Sequence, residues 1–198
     1  SIGNINQVYN DFLVNNAHLL QSSGRTARVE AVKEQMKSMA GPASDSYLSD
    51  YLKYKTASLD LFMRTSSREN LAAAYLTGQP VLYGNVEYMD FFHLFFEKYL
   101  LTNNKYLPYS VTSGLINGTA SREEILREFG KDPVLSDACL AELVLLAGLK
   151  EMAGMAGFEQ KRILAILGEI ATRSECRENR SIAGNLLERL QWMKPGTA

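Results

Sequence analysis

Apolar residues return every three or four positions along most of this chain and almost never every second position. In "INQVYNDFLVNNAHLL" they are Ile5, Val8, Tyr9, Phe12 and Leu13, a run that stops near Gly24. Val29, Val32, Met36 and Met39 repeat the spacing up to Gly41-Pro42, and Leu48, Leu52, Leu59 and Phe62 repeat it again. Such spacing gathers apolar side chains on one face of a helix. No alternating strand pattern persists; "PVLY" is at most a short extended piece. There is no repeat of fixed period, which weakens a regular solenoid. The pattern predicts an all-α fold, an irregular bundle of about nine to ten helices in two packed halves.

Local signals place the breaks. Ser66 with Glu69, and Ser121 with Glu124, have capping-box spacing, in which hydroxyl and carboxylate each satisfy a helix-start amide. Pro80 and Gly84 interrupt the first half, and Asn85 is placed to cap the next helix. That helix, "VEYMDFFHLFFEKYLLT", is apolar around much of its circumference and reads as central and nearly surrounded. The Asn-, Gly- and Ser-rich "NNKYLPYSVTSGLINGTAS" reads as a hinge. Asp132-Pro133 supplies another helix start. "SDACLAELVLLAGLKEMAG", "FEQKRILAILGEIATRS" and "ENRSIAGNLLERLQWM" follow with short loops, so the second half reads as a helical hairpin stack. The expected organisation is an N-terminal half over 1–104, a connector over 105–120, a C-terminal half over 121–194 and a linker start at 195–198.

Composition narrows the function. A chain of 198 residues with 46% apolar residues buries roughly 70% of its unfolded surface without metals or disulfides. Its 21 basic and 22 acidic residues form no basic concentration of the kind that displaces counterions from phosphate, so nucleic acid is not an expected partner. No apolar stretch reaches the length of about 18 residues that a membrane span needs.

Chemistry-bearing motifs are scarce. His18 and His93 are the two histidines; Asp90 and Glu97 flank His93 at helical steps, as ordinary surface pairs also do. Glu123-Glu124 opens a helix, where negative charge is favoured. "GMAG" at 154–157 has no lysine placed to cradle phosphate, and Asn117-Gly118-Thr119 is first of all a turn. Cys139 lies in an apolar run and reads as a small buried residue, whereas Cys176 in "RSECRENR" reads as exposed. They form no C-x-x-C, and whether they pair stays open. These residues imply no metal, no cofactor and no catalytic group. Tyr47, Tyr51 and Tyr54 form a helical stripe that either packs between helices or, with Tyr83, lines an aromatic binding surface.

"YLSDYLKYKTASLDLF", "AAYLTGQPVLYGNVEYMDFFHLFFEKYL", "VLSDACLAELVLLAGLKEM" and "SIAGNLLERLQWMKPGTA" occur in that order. The arrangement resembles the helical region preceding the thioredoxin-like domain of TlpA-type, AhpC/TSA-related disulfide-reductase-like proteins of the bacterial envelope, often lipoproteins and common in Bacteroidetes. The likeness covers most of residues 45–198, and Pro195, Gly196 and Ala198 match the start of the family's "PG-x-x-AP-x-F" lead into its first strand. It implies a chain that halts before a thioredoxin-like domain, the partner within the full-length protein. It also implies a location in the periplasm or outer-membrane-associated envelope. The helical region would then be non-catalytic, positioning that domain or helping to bind a protein or peptide. Leu190, Trp192 and Met193 are the expected joint, although Trp192 packing into its own core is an equal reading. The rival function is a freestanding scaffold that binds a peptide or glycan through the four tyrosines.

Overall fold

The computed structural model describes residues 2–16, 24–41 and 46–192. Among these residues ten α-helices run in order: α1 (Ile2–Asn16), α2 (Arg25–Ala40), α3 (Ser46–Met63), α4 (Arg68–Tyr75), α5 (Val86–Phe95), α6 (Tyr109–Asn117), α7 (Arg122–Phe129), α8 (Ala138–Met152), α9 (Gln160–Arg173) and α10 (Arg177–Trp192). A 3-10 turn at Pro133–Leu135 precedes α8, and no strand occurs among the described residues. The protein is all-α, as the periodicity requires. The chain divides into two compact units: Ser1–Leu76 with Leu82–Phe95, and Thr77–Val81 with Phe96–Ala198.

In the first unit α1, α2 and α3 close around Ile5, Val29, Val32, Met36, Leu52, Leu59 and Met63. Each comes from the helical-step pattern, except that Met63 is enclosed where Phe62 was the expected core residue, and Phe62 is exposed. Beside this core α3, α4 and α5 share an aromatic cluster. The Tyr54 ring meets Tyr88 edge-on at 4.8 Å, and Phe91 lies 5.8 Å from Tyr75 and 5.7 Å from Phe95. Edge-on and tilted arrangements suit the ring quadrupoles and add to the burial of the rings themselves.

α8 is the axis of the second unit. Leu140, Leu143, Val144, Leu145, Leu146, Leu149 and Met152 are all buried. α9 adds Ile163, Ile166, Leu167 and Ile170 at steps of three and four. The three-residue link Ser174–Cys176 turns the chain so that α10 packs along α9 as a helical hairpin.

Several local expectations are corrected by packing. The aromatic helix ends at Phe95, not near Thr102: Arg68 donates to the Phe95 carbonyl, and Lys98 turns left-handed at φ +52°. The N-cap of α4 is Ser67, whose hydroxyl accepts from the Asn70 amide at 3.1 Å, not Ser66. Asn85 does cap α5, accepting from the Tyr88 amide at 3.0 Å, and Ser121 with Glu124 forms both halves of its box. The segment expected as a hinge holds α6 and lies within the second unit. Its asparagines are turn-formers: Asn103 accepts from the Tyr109 amide at 3.0 Å and Asn104 from the Tyr106 amide at 2.9 Å. Leu107, Thr112 and Ile116 anchor it in the core.

Candidate functional site

The most concentrated polar chemistry is buried in the second unit around Glu142. This carboxylate is fully enclosed on α8, and burying an unpaired charge is prohibitive. Three donors answer it: Arg122 Nε at 2.5 Å, Asn179 Nδ2 at 3.0 Å and the Ser174 hydroxyl. Burial pulls Arg122 down, but its bonds to Glu142 and Glu123 outweigh this and hold its pKa above the ordinary value. The Arg122 amide also donates to Glu169 at 2.8 Å, so the start of α7 is tied to both α8 and α9.

Cys139 and Cys176 form a disulfide against this network, with 5.8 Å between their Cα atoms. Asn179 donates to the Cys139 carbonyl at 3.0 Å, and the Cys176 amide donates to the Ser174 hydroxyl at 3.1 Å. Cys139 is half-buried, not enclosed as its apolar run predicted, and Cys176 is half-buried as well. The pairing joins the start of α8 to the start of α10 and leaves no free thiol among the described residues. The available clue to the network was Glu142 itself, a single acid within "CLAELVLL".

The first unit has two smaller counterparts. Lys55 Nζ meets Glu87 Oε1 at 2.9 Å and lies 4.3 Å from the centre of the Tyr9 ring. Burial, with the Glu87 and Asp90 carboxylates, pushes the Tyr9 phenol up to about 12. Lys33 meets Asp60 at 2.6 Å; burial works against its charge, but the bonds to Asp60 and Glu30 win and raise its pKa. Each of these charges is matched internally, which locks helices to one another.

The predicted site residues fall in unlike places. Trp192 is 87% exposed on the last described turn of α10, Leu190 is half-buried, and Met193 lies outside the described residues. The reading in which Trp192 packs into its own core is therefore set aside. Tyr47 is 40% exposed and Tyr83 half-buried, but Tyr51 and Tyr54 are enclosed at 3% and 1%. The Tyr51 hydroxyl donates to Asn6 at 2.5 Å and the Tyr54 hydroxyl to the Tyr75 carbonyl at 3.3 Å. The four tyrosines thus do not make a common binding surface: the stripe enters the core as α3 passes under α1 and α5. His93 is exposed, its ring edge-on to Phe92, and His18 lies outside the described residues. Asn117, read as a turn residue, bridges instead: its amide donates to the Gly157 carbonyl at 2.7 Å and accepts from the Glu159 amide at 3.1 Å.

Among the described residues no helix is long and apolar enough to cross a membrane, and no group of three or more His, Cys, Asp or Glu is placed to hold a metal. No protein family, curated protein or solved structure matches the chain.

Proposed function

We propose that this chain is a non-catalytic helical module that precedes a thioredoxin-like domain in an envelope disulfide-reductase-like protein, positions that domain and contributes partner-binding surface. The observation that carries the reading is Trp192, a large aromatic residue 87% exposed at the end of α10. Covering a large aromatic contributes about 2–3 kcal/mol, so this turn is a favourable place for a second body to dock. Two further features support the reading. The Cys139–Cys176 disulfide suits an oxidising compartment such as the periplasm or the outer-membrane-associated envelope. The buried ions Glu142 and Lys55 and the half-buried Lys33 are each bonded within the fold, as a rigid scaffold requires.

Two measurements test this. The coding sequence beyond Ala198 should encode a thioredoxin-like pattern with a cysteine pair; a stop codon there removes the proposal. Trp192 is the chain's one tryptophan, so its fluorescence reports this turn alone. Emission should move to shorter wavelength when the chain carries its downstream domain, and an unmoved spectrum argues against docking at α10.

A further inference from the structure

The end of α3 carries an arginine where helices ordinarily carry glycine. The Thr65 amide donates to the Asp60 carbonyl at 3.0 Å and the Arg64 amide to the Leu61 carbonyl at 3.3 Å, the two bonds of a Schellman turn. Arg64 occupies its left-handed position at φ +53°, where a Cβ is crowded and glycine is the relaxed choice. The backbone is pinned there. Arg25 Nη2 donates to the Arg64 carbonyl at 3.1 Å, and the Thr65 hydroxyl donates to Asp60 Oδ1 at 2.5 Å. A residue that accepts conformational strain for the sake of its side chain points to a use for that side chain.

Arg64 lines a cleft of about 530 Å³ in the first unit with Leu61, Phe62, Ser66, Arg68 and Leu94. The volume is that of a small-molecule site. Arg68 is a fixed charge: it donates to the Phe95 carbonyl, and its guanidinium lies 4.4 Å from the centre of the Phe95 ring. No ion pair or side-chain hydrogen bond engages the Arg64 guanidinium among the described residues. The apolar lining is Leu61, Phe62 and Leu94, with Phe62 41% exposed although it is a large hydrophobic residue. Among the described residues no carboxylate lines the cleft. Glu69, next to Arg68, is exposed, and its backbone amide, the Ser67 hydroxyl and the Arg68 charge hold its carboxyl below the usual carboxylate range.

We propose that this cleft binds a small amphipathic monoanion, a carboxylate with an aliphatic tail, held by Arg64 with Arg68 as a second fixed charge. A guanidinium presents a planar fork of donors that matches two carboxylate oxygens. Leu61, Phe62 and Leu94 supply the contact for the tail that an inorganic anion would leave unused.

Octanoate is the probe, titrated into the whole 198-residue chain by calorimetry and by methyl NMR, beside octan-1-ol and inorganic phosphate. Saturable octanoate binding is expected, with methyl shifts at Leu61 and Leu94 and weaker binding of both comparison compounds. Arg64→Gln should weaken octanoate by about 10- to 100-fold, the range for a lost charge-assisted bond. Arg64→Gly should do the same while raising Tm, because it relieves the turn; that pairing separates lost recognition from damaged folding. Lys37→Gln, at an exposed site on α2, should change nothing. The proposal is overturned if octanoate does not bind, if octan-1-ol or phosphate binds as tightly, or if Arg64→Gln leaves the affinity unchanged.

Discussion

Cys139 on the first turn of α8 is disulfide-bonded to Cys176, the residue before α10, across 37 positions of sequence. The closed loop contains all of α9 and most of α8, so the cross-link restricts the unfolded chain substantially. Chain-entropy reasoning assigns it about 2–4 kcal/mol. Reduction by a dithiol, or Cys139→Ser combined with Cys176→Ser, should lower the urea midpoint by a corresponding amount. An identical midpoint with and without reductant would show that the bond does not form in solution.

Arg122 is expected to matter more through what it leaves behind than through what it adds. Arg122→Met strands the enclosed Glu142 carboxylate without its cation, and such single truncations cost about 3–5 kcal/mol. The double replacement Arg122→Met with Glu142→Leu removes the buried charge as well and should recover a substantial part of the loss. Urea unfolding of the parent, both single variants and the double variant measures the coupling; strict additivity contradicts the network.

Gly148 gives a steric prediction. An added Cβ on this α8 residue would lie 2.5, 3.1 and 3.3 Å from Leu100 Cδ1, Cγ and Cβ. The whole leucine side chain, enclosed at 1% exposure, would have to move. Alanine gains about 1 kcal/mol of helix propensity, but overpacking costs about 1–3 kcal/mol. Gly148→Ala should therefore lower Tm, and Leu100→Ala in the same chain should make the Gly148→Ala step less damaging. A higher Tm for the single variant would refute the close approach.

Alkaline pH should unfold the first unit through its buried phenols. Burial raises Tyr9 and Tyr54 to about 12 and also raises Tyr51; Glu87 adds to the effect on Tyr9 and Tyr51. Groups whose folded pKa lies above the unfolded value bind more protons when folded, so their stabilisation is complete below the unfolded tyrosine value of about 10. It is lost as pH climbs from there through the folded values. Ultraviolet titration of the ten tyrosines should show one class ionising near 10 and another only toward 12 or with loss of helical circular dichroism. A single class near 10 with the fold intact would contradict the burial.

The identity and phase of most helices were legible because they depend on residues within a turn or two of one another. Ser121 and Glu124 are three positions apart and make their box, and Ile163, Ile166, Leu167 and Ile170 find the core by spacing alone. The tyrosine stripe shows where such reading ends. Tyr47, Tyr51 and Tyr54 share one periodic face, yet exposure falls from 40% to 1% along it. What lies over that face is contributed by α1 and α5. The cleft beside Arg64 was illegible for the same reason, since Leu94 reaches it from a helix two elements away.

By itself, then, the amino-acid order determined that this chain is helical, which faces of most helices are apolar and where several of them are capped, all outcomes of short-range sterics and hydrogen bonding. The tertiary structure decided that Cys139 meets Cys176, that Glu142 is an enclosed and answered charge, and that α5 stops where Arg68 takes the Phe95 carbonyl. Those contacts join residues separated by tens of positions, and only packing sets how close such residues come.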